Sequence, residues 1–304
     1  MCKLKIWIPC ALLPLSAALR RGPPETVDFD REAWERAMHD FRNLAAHFSK
    51  GDAAEILEQL KRVPVGFQRR WGNLTLPTGK DLPQEVPQRC AIVSSSRTVL
   101  NEKAGKDIDA VDGPVLRMNY VWTKGWEASA GSRTDALLIN DQMPCKWVED
   151  EGGPPPQVKM VIVNNFGHLE RVECMQKLVE QFPKVPFFVL DYPKMDEGLQ
   201  KVVNLVAKKG PASLRRLTST VMSTTGMLGG LFMMNLCKEV FHYGFLESTP
   251  CRQHYWDEEG DCITDPMHDL TKEHVLWKLI SSTKGLKLPG EGIVYGWPRL
   301  QTEG

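Results

Sequence analysis

A chain of 304 residues can bury one large core or two modest ones, and 42% hydrophobic with 25% charged residues is ordinary globular composition. Lys and Arg number 38 against 38 Asp and Glu, and this zero net charge argues against a nucleic-acid binder that relies on a broad basic field. No internal repeat, zinc-type Cys-x-x-Cys pair, Walker loop or dinucleotide glycine fingerprint occurs.

The first element is a short apolar stretch, residues 6–19, behind Lys3 and Lys5 and ahead of Arg20-Arg21. It falls short of the roughly 20 residues that a membrane-spanning helix needs, and it contains Pro9 and Pro14. Residues 1–22 read either as a signal peptide cut near Ser16-Ala17-Ala18, or as a short signal anchor holding a lumenal body to a membrane. Over 28–49, Trp34, Met38, Phe41, Leu44 and Phe48 recur at helical spacing, and 52–62 reads as a second short helix with Ile56, Leu57 and Leu60 apolar. Pro64, Pro77, Pro83 and Pro87 punctuate the next segment, so residues 23–89 read as a stem and N-terminal helical region, either a stem or a helical cap over the body. Asn73-Leu74-Thr75 is a glycosylation sequon.

A body over 90–304 begins at Cys90-Ala91-Ile92-Val93, an apolar run before the polar turn Ser94-Ser95-Ser96. Apolar runs at 114–118, 136–139, 159–163 and 185–190 read as further strands, with helices at 168–181 and 196–208. Such alternation predicts an α/β fold with a central, mostly parallel sheet flanked by helices. Ligands of such sheets bind outside the carboxyl ends of the strands, here the turns after Val93 and Met118. Residues 226–241 read as a buried helix entered from Thr224-Thr225, its N-terminus offering amides to an anion. A last helix is expected over 270–281.

Four short signals cluster late in the chain: Ser223-Thr224-Thr225-Gly226-Met227-Leu228, Tyr243-Gly244-Phe245, His254-Tyr255-Trp256, and His268 with Glu273. Thr224-Thr225-Gly226 suits an ordinary helix cap and, at the same place, a phosphate cradle. His254 and His268 each fit a surface or core histidine; imidazole also moves protons near neutrality. Glu273 lies on a different helix face from His268 and reads as a first-turn carboxylate. Asp107-Ile108-Asp109 matches the pattern by which many glycosyltransferases hold a metal, but it sits in a polar loop, so no metal site is assigned. Beyond residue 22 there are six cysteines, at 90, 145, 174, 237, 251 and 262, and a secretory route permits disulfides among them.

Together these segments resemble the animal-type sialyltransferase family, glycosyltransferase family 29, most closely its beta-galactoside alpha-2,3 members. Cys90-Ala91-Ile92-Val93 through Val115-Leu116-Arg117-Met118-Asn119 to Gly131-Ser132-Arg133-Thr134 is similar to the family's large motif. Ser223 through Cys237 to Phe245 is similar to the small motif, His254-Tyr255-Trp256 to the third, and His268 with Glu273 to the last. The order is the family's, and the likeness spans 90–273.

The resemblance implies a single-domain GT-A-like variant fold with a CMP-sialic acid donor and no cofactor. It implies inverting, metal-independent transfer to a galactose- or N-acetylgalactosamine-containing glycoprotein or glycolipid. It implies a Golgi membrane location with a lumenal catalytic domain, and a Cys90–Cys237 disulfide. His268 is then the base that takes the acceptor proton, and His254 the group that holds the donor phosphate. Ser95, Asn119, Tyr192, Thr224, Thr225, Gly226 and Gly244 are then donor contacts. One departure stands out: members usually carry Gly-Asn where this chain has Ser94-Ser95. The pattern favours α2,3 transfer to galactose. The alternatives are α2,6 transfer to N-acetylgalactosamine and, motivated by that departure, a non-catalytic nucleotide or glycan binder on the same fold.

Overall fold

The computed structural model describes residues 47–150, 152–165, 167–211, 223–245, 254–256, 270–282 and 292–300. The N-terminal apolar stretch, most of the helix expected over 28–49, and His268, Cys251 and Cys262 lie outside them.

Helix α1 (Lys50–Lys61) is followed by a hairpin, β1 (Arg70–Trp71) and β2 (Leu74–Thr75). Gly72, at φ +58°, and Asn73 form its two-residue turn, which leaves Asn73 exposed. The body alternates strand and helix: β3 (Arg89–Val93), α2 (Val99–Glu102), α3 (Gly105–Asp109), β4 (Val115–Met118), α4 (Glu127–Ala130), β5 (Ala136–Asn140), α5 (Met143–Glu149) and β6 (Met160–Asn164). Then come α6 (Val172–Gln181), β7 (Phe187–Leu190), α7 (Tyr192–Lys209), α8 (Thr225–Leu236), β8 (Glu239–Tyr243), α9 (Leu270–Ser282) and β9 (Gly292–Tyr295).

Seven strands form one sheet in the order β7-β6-β5-β4-β3-β8-β9, parallel throughout except for the antiparallel pair β8–β9. Strands buried on both faces carry continuous apolar runs, which is why five of them were legible. Their residues alternate between layers. Ile92, Leu116, Leu138, Ile162 and Phe188 face one core with α1, α7, α8 and α9. Leu137, Val161 and Val189 face a second core with α6, and Ala91 and Val115 a third with α3 and α4. The result is an α/β single domain, a parallel sheet between two helical layers.

Of the two readings of the front segment, residues 50–89 follow the helical cap and not the stem: Ile56, Leu60, Val63 and Leu82 belong to the same core as Ile92. The helix expected over 226–241 also changes. It ends at Leu236, and Cys237 is extended at φ −120° and ψ 155°. Residues 239–243 instead form strand β8, whose β-branched and aromatic side chains suit a sheet better than a helix end. Helix α8 is buried on every side, and Gly230 allows it: a Cβ there would stand 2.3 Å from the Trp277 ring.

Cys90 and Cys237 are joined, as the resemblance implied, over a separation of 147 residues. A second bridge joins Cys145 on α5 to Cys174 on α6. Among the described residues no helix is long and apolar enough to cross a membrane.

A cross-link over so long a loop removes much freedom from the unfolded chain. Cys237→Ser is expected to lower unfolding free energy by about 2–5 kcal/mol in urea titration. An unchanged urea midpoint would show that sheet pairing alone holds these strands.

Candidate active site

The carboxyl ends of β3 and β8 lie side by side because the two strands pair in parallel from Arg89↔Glu239 to Val93↔Tyr243. Past the register the pairing continues into the turns. Ser94 N donates to Tyr243 O at 2.9 Å, and Thr98 Oγ1 donates to Gly244 O at 3.1 Å. Gly244 N donates to the Glu102 carboxylate at 2.9 and 3.1 Å. Gly244 holds φ +77°, a left-handed turn that favours glycine, and a Cβ there would stand 3.0 Å from the Ser94 Cβ. Ser94 Oγ accepts from Ser96 N at 3.0 Å, and Ser95 O accepts from Tyr255 N at 3.0 Å. His254 bridges to Ser96 in antiparallel pairing, so the His-Tyr-Trp segment docks on the turn after β3. The His254 ring stacks on Trp256, centroids 4.7 Å apart and planes 2° from parallel.

The N-terminus of α8 opens beside them. A Cβ at Gly226 would come within 2.9 Å of the Phe245 ring, so glycine lets Tyr243-Gly244-Phe245 close over the first turn. Thr224 is the N-cap, and its Oγ1 accepts from Met227 N at 3.0 Å. Its peptide N donates to Glu273 Oε1 at 2.8 Å, and its hydroxyl donates to Glu273 Oε2 at 2.5 Å. Asp196 Oδ1 accepts from Ser223 N at 2.9 Å. Glu273 is therefore a first-turn carboxylate of α9, as expected, with a further job: only 2% exposed, it fixes a turn 49 residues upstream. Thr224 spends its hydroxyl proton and its peptide N–H inside the protein. The amides of Thr225 and Gly226, at the first two helical positions, remain to face an incoming anion.

Tyr192 begins α7 and is 7% exposed. Burial, then the carboxylates of Asp196 and Glu273, push its phenol pKa up, so it stays a proton donor. Those are the two carboxylates that hold Ser223 and Thr224, which brings Tyr192 to the same turn. Asn119 follows β4 at φ +53°, a left-handed conformation that asparagine tolerates better than most residues. Its Oδ1 accepts from Asn140 N at 3.0 Å and ties the ends of β4 and β5 together.

The Asp107-Ile108-Asp109 pattern has a structural use. Asp109 carboxylate oxygens accept from Ser132 N and Arg133 N at 2.9 Å and from Ser132 Oγ at 2.7 Å. Burial alone would raise its pKa, but these bonds and the Arg117 charge hold it below the ordinary 3.8. Arg117, 2% exposed, donates to the carbonyls of Ala130 and Arg133. The charged residues of the large motif thus build the loop between β4 and β5. A cavity of about 1010 Å³ lined by Pro83, Asp112, Arg133, Asp135 and Lys159 opens at the amino ends of the strands, and none of the expected site residues lines it.

Ser95, Gly244, Thr224, Thr225, Gly226 and His254 thus meet in one place, with Asn119 at the end of the neighbouring strand β4 and Tyr192 beside the carboxylates that hold the α8 turn. The Cys90–Cys237 bridge does not: Cys90 lies at the amino end of β3, about 13 Å along the strand from Ser94. It clamps the far end of the strand pair.

The model of Glycosyltransferase family 29 (sialyltransferase) matches residues 48–284. The chain belongs to this family. The family match extends the likeness upstream of Cys90, in keeping with the shared core. Beta-galactoside alpha-2,6-sialyltransferase 2 of Bos taurus is 26% identical over 219 residues, 66% of this chain and 42% of its own. Beta-galactoside alpha-2,6-sialyltransferase 1 of Mus musculus is 26% identical over 293 residues, 89% of this chain and 66% of that one. The Homo sapiens alpha-N-acetyl-neuraminyl-2,3-beta-galactosyl-1,3-N-acetyl-galactosaminide alpha-2,6-sialyltransferase is 24% identical over 191 residues, 60% of this chain and 61% of that one. This family member spans less than half the length of the bovine relative.

Glu273→Gln leaves one acceptor oxygen for two Thr224 donors and turns an amide N–H₂ toward the other. It is expected to cost about 1–3 kcal/mol in chemical denaturation. An unaffected denaturation curve would mean that Thr224 finds another acceptor. Asp109 has a lowered folded-state pKa, so its stabilisation is full above the ordinary 3.8 and fades as pH falls through the folded value. Asp109→Asn should be less stable than wild type at neutral pH, with the gap closing below 3.8 in thermal melts.

Proposed function

We propose that this protein is a lumenal sialyltransferase. It moves sialic acid from CMP-sialic acid to a galactose-containing glycan, with inversion and without a metal ion. One observation carries the reading: the turn after β3, Asn119, the α8 N-terminus, Gly244 and His254 converge at the carboxyl end of the sheet. Membership of the family supports it.

On this reading the Thr225 and Gly226 amides and the α8 dipole receive negative charge of the donor. His254, held against the β3 turn, donates to the phosphate as charge grows on the leaving CMP. Asn119, Ser95 and Gly244 line the nucleotide, and Tyr192 supports the α8 turn. His268, by its place in the family pattern, takes the acceptor hydroxyl proton; neutral imidazole suits that task near pH 7. Phosphate leaves readily once its charge is met, so no strong acid is required. Asp109 is committed to Ser132 and Arg133, which supports the metal-free reading of its motif. The α2,3 preference of the sequence reading gains no support from the relatives named above, whose α2,6 names favour that linkage instead. Residues 1–22 send the chain to the Golgi lumen as signal peptide or anchor, and exposed Asn73 carries an N-glycan there.

His268→Ala is expected to cut kcat by about 10²–10⁴-fold while CMP affinity holds. Near-full turnover in that variant would overturn the base assignment. Wild-type transfer to galactose-terminated acceptors should persist in EDTA. Tight CMP binding without transfer to any acceptor, measured by calorimetry beside the turnover assay, would favour the non-catalytic binder. Linkage analysis of the product decides between α2,3 and α2,6.

A further inference from the structure

Three large apolar side chains stand exposed among the described residues: Tyr120 at 44%, Trp122 at 58% and Leu169 at 68%. Two of them share the loop that leaves β4 directly after Asn119. Single exposed hydrophobics are common on protein surfaces; two aromatic rings on one turn at the rim of a binding site are a more specific arrangement.

The loop does not simply hang in solvent. Val121, between the two rings, is partly buried and packs on the core cluster of Leu137 and Val163, so side chains 120 and 122 are left on the outer side. Further on, Trp126 packs edge-on against Tyr255, centroids 5.9 Å apart. The loop therefore starts at Asn119 and ends on the His254-Tyr255-Trp256 segment. Trp122 lies within about 10 Å of Asn119, the most that three residues can span. Tyr120 is steadied by Lys146, whose Nζ donates to its hydroxyl at 3.5 Å, and helix α5 carrying Lys146 is cross-linked to α6 through Cys145–Cys174.

The donor's phosphate and carboxylate charges gain nothing from an apolar ring face; its cytosine base would stack there, and donor KM with CMP affinity tells that occupant from the acceptor sugar. A galactose ring carries an apolar patch, the C–H bonds at C3, C4 and C5, opposite its hydroxyl-rich side. The electron-rich face of Trp or Tyr complements such C–H groups and keeps the hydroxyl edge free for reaction. We propose that Trp122, with Tyr120 beside it, is the stacking platform for the galactose ring of the acceptor and sets acceptor preference. This rests on the transferase reading above and names a binding surface for its acceptor.

Trp122→Ala should raise the acceptor KM about tenfold and leave donor KM and CMP affinity unchanged, while Trp122→Phe keeps most of the acceptor affinity. An unchanged acceptor KM in Trp122→Ala overturns the platform. Donor KM and CMP affinity moving together with acceptor KM also overturns it, because Trp122 would then shape the donor half. A second readout needs no turnover: saturation-transfer NMR with methyl β-galactoside and CMP. Transfer to the C3, C4 and C5 protons in wild type, lost in Trp122→Ala, supports the platform even if no sialic acid is moved. In that case the transferase reading fails and the platform stands. Absence of saturation transfer in wild type overturns the platform, whatever the turnover assay reports.

Discussion

The parallel pairing of β3 with β8 is the constraint on which the candidate site depends. Two segments come together along five matched positions, Arg89↔Glu239 to Val93↔Tyr243, with a bridge between cysteines 147 residues apart. Closing such a loop is costly in chain entropy, though the cost grows only slowly with length. The protein holds the pair at both ends. At the amino end the Cys90–Cys237 bridge does so covalently. At the carboxyl end the turns carry ladder-like bonds onward, from Ser94 to Tyr243 and from Thr98 and Glu102 to Gly244. The site is built on the hydrogen-bonded end, and the disulfide secures it from a strand's length away.

The second determinant is a pair of carboxylates that the small-motif turn does not itself contain. Asp196 holds Ser223 and Glu273 holds Thr224, from helices on either side in sequence. A carboxylate near a helix N-terminus is stabilised by the dipole, and one accepting two donors is anchored twice. The consequence is a division of labour within three residues. Thr224 is consumed in building the turn, and Thr225 and Gly226 supply the amides that a ligand can use. The negative Glu273 at that turn also disfavours an anion on its own side, which on the proposed reading leaves the Thr225 and Gly226 amides as the place for the donor phosphate.

The strands of the fold were legible because a sheet covered on both faces writes itself as uninterrupted apolar runs. Strands β8 and β9 were not: Glu239–Tyr243 follows a buried helix with no glycine or proline between them, and only sheet pairing with β3 and the bridge at Cys237 decides where the helix stops. For 50–89 the sequence left stem and cap open for a related reason: Ile56 and Leu60 show a helical face without showing what that face meets. Among site residues, the glycines and the Thr224 cap could be read from local chemistry. The roles of Glu273 and Asp196 could not, because their partners are 49 and 27 residues away and no local pattern encodes that contact. Tyr120 and Trp122 escaped because exposure is not a property of sequence; strand alternation around Val121 was the one available hint.

Ser94-Ser95, the departure from the family pattern, has a physical account that bears on catalysis against mere binding. Ser94 Oγ accepts from Ser96 N and shapes the turn, and the Ser95 carbonyl receives Tyr255 N, so both residues build the seat of His254. What the chain lacks relative to Gly-Asn is the reach of one side-chain amide toward the donor. A single hydrogen bond is worth about 0.5–1.5 kcal/mol net, a factor of about 2 to 12 in affinity. Asn119 retains an amide one strand away, and the α8 amides are untouched by the change. On the proposed reading, a loss of that size weakens donor binding without removing the groups that would act on the phosphate. The substitution therefore argues for an enzyme with lowered donor affinity over a protein that has lost its chemistry.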